Sequence, residues 1–127
     1  MLRCGDVAVD AGANIGGYTQ MLALSVCADG RVHSFEPFRL TFQMLNANVA
    51  LAGLVNVHTY NRALSNTAER SKAVGTDVRD PRQQTIWNSL VIPRETVLQN
   101  EAGFLWSEEE AEVEDIQCIT LDSLALP

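Results

Sequence analysis

At 127 residues, 46% hydrophobic and 20% charged, the chain has the size and composition of one globular domain. A formal net charge of −7 with only nine Lys and Arg argues against a nucleic-acid binder, since phosphate recognition needs clustered cations. Arg79, Arg82 and Arg94 are interleaved with Asp77, Asp80 and Glu95, so no basic stripe forms.

No window approaches the roughly 18 consecutive apolar residues of a membrane span. Residues 2–9 are too short and too charged for a signal peptide, and a cytoplasmic protein is expected. Cys4, Cys27 and Cys118 are odd in number, lie far apart and form no C-x-x-C pair. Free thiols in a reducing compartment are therefore expected, with neither a disulfide framework nor a metal site.

Asp6–Asp10, D-V-A-V-D, reads as a short buried parallel strand. From Ile15 to Ala28 the apolar residues Ile15, Tyr18, Met21, Leu22, Leu24, Val26 and Cys27 predict a helix packed on a sheet, stopped by Asp29-Gly30. Arg31–Glu36 reads as a second strand, and Pro37 suits the first turn of a following helix. That helix is predicted over Phe38–Leu51, with Leu40, Met44, Leu45, Val49 and Leu51 on its apolar face and Gly53 as its cap. Val55–Tyr60 is a third strand. The order β-α-β-α-β predicts an α/β fold with parallel strands and right-handed crossovers.

Beyond Leu64 the periodicity weakens. Ser65–Gln84 is polar and turn-rich, residues 86–92 (I-W-N-S-L-V-I) have strand character, and residues 101–115 carry seven acids and no base, which reads as a solvated face or a mobile loop. Ile116–Leu121 is a last strand candidate. Neither an internal repeat nor a low-complexity tract is present. His33 and His58 fall within strands and are expected to pack or face solvent rather than catalyse.

The turn between the first strand and first helix, Asp10 to Gly17, carries the functional signal. A strand-to-helix turn leaves free amides at the carboxyl edge of a parallel sheet, where ligands bind. Gly12 permits the tight turn and Gly16 a close approach of backbone to ligand. A dinucleotide site needs G-x-G-x-x-G. Here Asn14 takes the middle glycine position, where its side chain obstructs a pyrophosphate. Asp10 at the strand tip repels phosphate and attracts an ammonium, so S-adenosylmethionine fits better than a dinucleotide. Glu36, ending the second strand, is placed to accept ribose hydroxyls of either ligand.

The segments VDAGANIGGYT (Val9–Thr19), VHSFEP (Val32–Pro37), LNANVALAGLVNV (Leu45–Val57), NRALSN (Asn61–Asn66), NSL (Asn88–Leu90) and ITLDSL (Ile119–Leu124) resemble, in order, the FkbM family of S-adenosylmethionine-dependent methyltransferases. The resemblance implies a Rossmann-like class I methyltransferase fold, a three-layer αβα sandwich with a mostly parallel sheet. It also implies O-methylation of a hydroxyl on a sugar or small-molecule metabolite. Asp10, Gly12, Asn14 and Gly16 would line the ribose and methionine part of the cofactor, with Tyr18 and Thr19 nearby. Glu36, followed by Pro37, would hold the ribose diol, and Asn61 and Ala63 would lie close to the adenine.

In that family a strand carrying Asp-x-Glu-Gly follows the LDSL segment, whereas this chain ends three residues after Leu124. The expectation is therefore a single partial domain. Residues 1–64 form a cofactor-binding βαβαβ unit, 65–115 a variable region and 116–124 a final strand segment. No catalytic base is singled out among Asp77, Asp80 and Asp122. The missing neighbour would leave the first strand as an exposed edge open to self-association, covered by Ile116–Leu121 or by a partner chain. A non-catalytic nucleotide-binding or interaction module and an NAD(P)-dependent oxidoreductase stand as alternatives.

Overall fold

The computed structural model describes residues 1–75 and 112–124. The expected strand over residues 86–92, the loop reading of 101–111, and Asp77 and Asp80 lie outside the described residues.

The chain opens with β1 (Val7–Ala11), α1 (Gly17–Ser25), β2 (Arg31–Phe35), α2 (Arg39–Leu51) and β3 (Val57–Tyr60). The three strands form one parallel sheet in the order β1-β2-β3, in register Val9↔His33 and His33↔His58. This is the expected α/β βαβαβ unit. Both crossovers step in the same direction, so right-handed connections put α1 and α2 on the same face of the sheet. The second helical layer of a three-layer sandwich is not among the described residues.

A second sheet follows, made of β4 (Ala63–Leu64), β5 (Arg70–Gly75) and β6 (Glu112–Ile119), in the order β4-β6-β5. β4 runs parallel to β6 and β5 antiparallel to it. A 3-10 turn, Leu121–Leu124, ends the described chain. β5 was not expected within a polar stretch, and β6 starts at Glu112, inside the acidic run, of whose two readings, a solvated face or a mobile loop, only the first suits a strand. The register pairs Lys72 with Asp115 and Arg70 with Gln117, so a strand rich in acids lies along one carrying cations. β6 pairs with β4 and β5 and leaves β1 uncovered, so the expectation that Ile116–Leu121 shields the first strand is corrected.

β1 is half-buried rather than fully buried: Ala8 and Asp10 face the interior, whereas Val7 and Val9 remain 39% and 37% exposed. In α1 the inward residues are Thr19 and Ala23, with Leu22 and Val26 packed beside them; Ile15, Tyr18, Met21 and Leu24, expected against the sheet, are exposed. α1 stops at Ser25, earlier than expected, because Cys27 takes a left-handed conformation and Asn56 Nδ2 donates to the carbonyls of Ala23 (3.2 Å) and Cys27 (2.8 Å). In α2, Leu45 is fully buried while Met44 and Leu51 are exposed, and Gly53 follows the helix with positive φ, as its capping role requires. One core joins Ala8, Ala23, Val26 and Val32; a second joins Phe38, Ala63, Ile116 and Cys118.

The cysteine expectation fails for two of three residues. Cys4 and Cys27 form a disulfide with Cα atoms 4.8 Å apart, tying the segment before β1 to the α1–β2 turn. Their distance in sequence concealed it. Such a bond belongs to an oxidising setting and removes the cysteine support for a reducing one. Cys118 is free and buried, and burial first, then Glu69, pushes its thiol pKa up. Among the described residues no helix is long and apolar enough to cross a membrane.

On β2 and β3, His33 stacks on His58 and Tyr60, and its Nδ1 lies 2.9 Å from the Tyr60 hydroxyl. His33 Nε2 is buried without a partner. His33 is buried and packs, whereas His58 is exposed at the surface of β3, the two placements expected of them.

Two outcomes are expected. The disulfide closes a loop of 23 residues in sequence separation, so Cys27→Ser should cost about 3 kcal/mol of unfolding free energy in urea, an effect that reductant reproduces in the parent chain. His33 has its pKa lowered below 6.5, by burial first and then by His58 and Arg31. The unfolded chain therefore takes up this proton more readily, and the stability contribution, complete above pH 6.5, is lost as pH falls through that value toward the folded pKa. Urea midpoints measured from about pH 7.5 down to about pH 5.5 should fall, with a flatter profile in His33→Phe.

Candidate functional site

The carboxyl ends of β1 and β2 meet at the glycine turn. After Ala11 the chain reverses through Gly12, with φ at 79°, and the amides of Gly12 and Ala13 both donate to the Phe35 carbonyl at 2.9 Å. Asn14 adopts a left-handed φ of 52°, a conformation Asn tolerates better than most side chains. Gly16, with φ at 98°, caps the start of α1. A Cβ there would sit 2.8 Å from Leu45 Cδ1. The close approach at Gly16 is thus to the neighbouring helix α2, and it seats the turn on the domain. Asn48, also on α2, donates from Nδ2 to the Ile15 carbonyl at 2.7 Å and holds the same turn.

Two carboxylates flank this turn. Asp10 ends the buried side of β1 and is 8% exposed. Thr19, in the first turn of α1, donates from Oγ1 to Asp10 Oδ2 at 2.6 Å, and Thr19 Oγ1 lies 3.0 Å from Ser34 Oγ on β2. Glu36 is fully buried. Its Oε2 accepts the Asn14 amide at 2.9 Å and its Oε1 accepts the Phe38 amide at 3.0 Å. Burial raises the Glu36 pKa above 4.5; the Phe38 and Asn14 amides oppose that rise, while Glu114 and Asp10 add to it by repulsion. The side chain expected at a ribose also braces the glycine turn to the β2–α2 turn.

The remaining expected site residues divide by position. Asn61, half-buried, donates from Nδ2 to the carbonyls of Glu36 and Pro37, each at 2.9 Å, and so fixes the loop after β3 against the end of β2. Pro37 is buried within that contact. Ala63 belongs to the second core beside Phe38, Ile116 and Cys118. Tyr18 is 69% exposed at the start of α1, and Thr19 is fully buried. Asp10, Gly12, Asn14, Gly16, Thr19 and Glu36 converge on one turn, and Asn61 and Pro37 adjoin it through Glu36. Ser34 was missed. Its signal was a small hydroxyl residue between His33 and Phe35, opposite Asp10 in the parallel register.

No family model matches the chain, and no curated protein matches it. Among solved structures, a SAM-dependent methyltransferase from Aquifex aeolicus is similar over 47% of this chain and 32% of its own, at 25% identity and a TM-score of 0.46. A SAM-dependent O-methyltransferase from Thermotoga maritima is similar over 61% of this chain and 40% of its own, at 17% identity and a TM-score of 0.47. The chain therefore spans well under half the length of either protein. At these TM-scores the likeness does not decide the fold, which rests on the βαβαβ connectivity.

If Glu36 braces two turns, its removal is felt without any ligand. Glu36→Ala leaves the Asn14 and Phe38 amides without an acceptor, at about 1–3 kcal/mol for each such group. Urea unfolding of the ligand-free variant should show a loss of that order, with faster hydrogen exchange at both amides; unchanged stability would restrict Glu36 to ligand contact.

Proposed function

We propose that this chain is the cofactor-binding part of an S-adenosylmethionine-dependent methyltransferase, acting on a hydroxyl of a sugar or small-molecule metabolite. The observation that carries the reading is the sign of charge around the turn. Asp10 and Glu36 flank it, and the charge of Asp10 is felt at Glu36. A pyrophosphate entering there meets repulsion from both carboxylates, whereas a ligand with a sulfonium and an ammonium meets attraction. Asn14 at the middle position of the turn, and the resemblance of the segments around it to FkbM methyltransferases, support the same choice.

The residues present fit this cofactor. Asp10 would take the ammonium of the methionine tail, and the exposed backbone at Gly12 would border it. Glu36 and Asn61 would hold the shape of the adenosine side by fixing the two turns that border it. When bound, S-adenosylmethionine supplies a methyl group already activated on sulfur. The protein's contribution is then to bind, orient and exclude water, as is general for enzymes whose cofactor carries the difficult chemistry.

In this reading residues 1–64 form the cofactor unit, residues 65–115 shape the acceptor pocket, and 116–124 add a final strand segment. The open edge of β1, which pairs only with β2 among the described residues and exposes Val7 and Val9, would take a further strand or a second copy.

Titration calorimetry tests the reading. Saturable binding of S-adenosylhomocysteine, weakened about 10-fold or more in Asp10→Asn and without measurable binding of NADH, is the expected result. Binding of NADH in place of S-adenosylhomocysteine assigns the site to an oxidoreductase. Binding of neither leaves a non-catalytic interaction module.

A further inference from the structure

We propose that Thr19 and Ser34 are positioning residues, a buried pair of hydroxyls that holds the Asp10 carboxylate in the orientation needed to receive the ammonium of the cofactor's methionine tail. The inference rests on the cofactor reading above and deepens it.

The two hydroxyls come from different elements. Ser34 lies on β2 opposite Asp10 in the parallel register, and Thr19 descends from the first turn of α1 onto both. Thr19 and Ser34 are fully buried and Asp10 is 8% exposed. Thr19 has one proton, and it goes to Asp10 Oδ2 at 2.6 Å, a length typical of a hydroxyl bonded to a carboxylate. Ser34 is then the donor across the 3.0 Å separation to Thr19 Oγ1. The bonds run Ser34 to Thr19 to Asp10, each strengthening the next. Among the described residues Oδ1 has no donor, which leaves that oxygen for a ligand cation.

Burial decides the kind of role. Thr19 cannot touch a bound ligand, although it adjoins the glycine turn, so any effect on binding passes through Asp10. Packing alone does not call for these hydroxyls, because valine fills nearly the same volume as threonine. An unheld carboxylate beside the first turn of a helix has the free amides there to turn toward, and capping them would withdraw it from the ligand. Glu36 lies close enough for the two carboxylates to repel, which gives Asp10 a further reason to swing away. The Thr19 bond opposes both.

The test compares two ligands by calorimetry. S-Adenosylhomocysteine carries the amino-acid tail, and 5′-methylthioadenosine is the same nucleoside without it. In Thr19→Val, S-adenosylhomocysteine should bind about 10-fold or more weakly, while 5′-methylthioadenosine stays within about 2-fold of the parent chain. Thr19→Ser, which keeps the hydroxyl, should restore S-adenosylhomocysteine binding. Ser34→Ala should weaken S-adenosylhomocysteine alone, by a few-fold, and supplies the same comparison should Thr19→Val not fold. Equal weakening of both ligands in these variants, or no weakening of either, overturns the positioning role and leaves the cofactor reading standing. Equal affinity of the parent chain for the two ligands also overturns it. A parent chain that binds neither ligand overturns the cofactor reading and this inference together.

Discussion

A carboxylate removed from water governs the functional end of this domain. Glu36 is fully buried where β2 ends, and its two oxygens receive the amides of Asn14 and Phe38. Those amides belong to the two turns that leave the carboxyl edge of the sheet, so one side chain fixes both. Burying an ionisable group is costly unless its oxygens are satisfied. The raised pKa of Glu36 records that cost, and the two amides work against it. Asn61 closes the arrangement from the third strand by donating to the carbonyls of Glu36 and Pro37. The three strand ends are thus locked by polar contacts.

Asparagine amides repeat this task across the fold. Asn48 ties the glycine turn to α2 and Asn56 caps the end of α1. Asn46 Oδ1, on α2, accepts the Thr59 hydroxyl from β3 at 2.7 Å. Each carries donor or acceptor groups that a loop carbonyl or strand hydroxyl lacks a backbone partner for. Among the described residues, these long-range polar bonds and the Cys4–Cys27 bridge add to two hydrophobic clusters of four buried residues each.

Much of the βαβαβ unit was legible in the sequence because its signals are local. Short β-branched runs, Pro37 before a helix and Gly53 after one are set by backbone geometry within a few residues. The glycine turn was legible for the same reason. What escaped depended on partners distant in sequence. The helix α1 turns Tyr18, Met21 and Leu24 outward, since apolar density gives no direction until a sheet is present. β5 reads as polar until β6 lies beside it, and the acids of β6 read as a loop until β5 does. The disulfide joins residues 4 and 27, which meet only once β1 and the α1–β2 turn come together. Glu36 was visible as a strand-end acid, but its engagement by two amides from opposite sides was not. Ser34 shows the same limit: its role appears only when the parallel register sets it against Asp10.

The start of α1 shows how charge outside a helix can reverse what the helix itself prefers. An α-helix N-terminus carries the equivalent of roughly half a positive charge and ordinarily draws anions, which is why nucleotide phosphates settle at such turns. Here that partial charge is offset by Asp10 and Glu36, one of them fully buried, where water screens it least. The Thr19 and Asn14 contacts keep both carboxylates at the turn. A phosphate loses its usual reason to bind. On the cofactor reading proposed above, a zwitterion keeps one, since its cation would meet Asp10 while its own carboxylate would use the first-turn amides that Asp10, held by Thr19, does not cap.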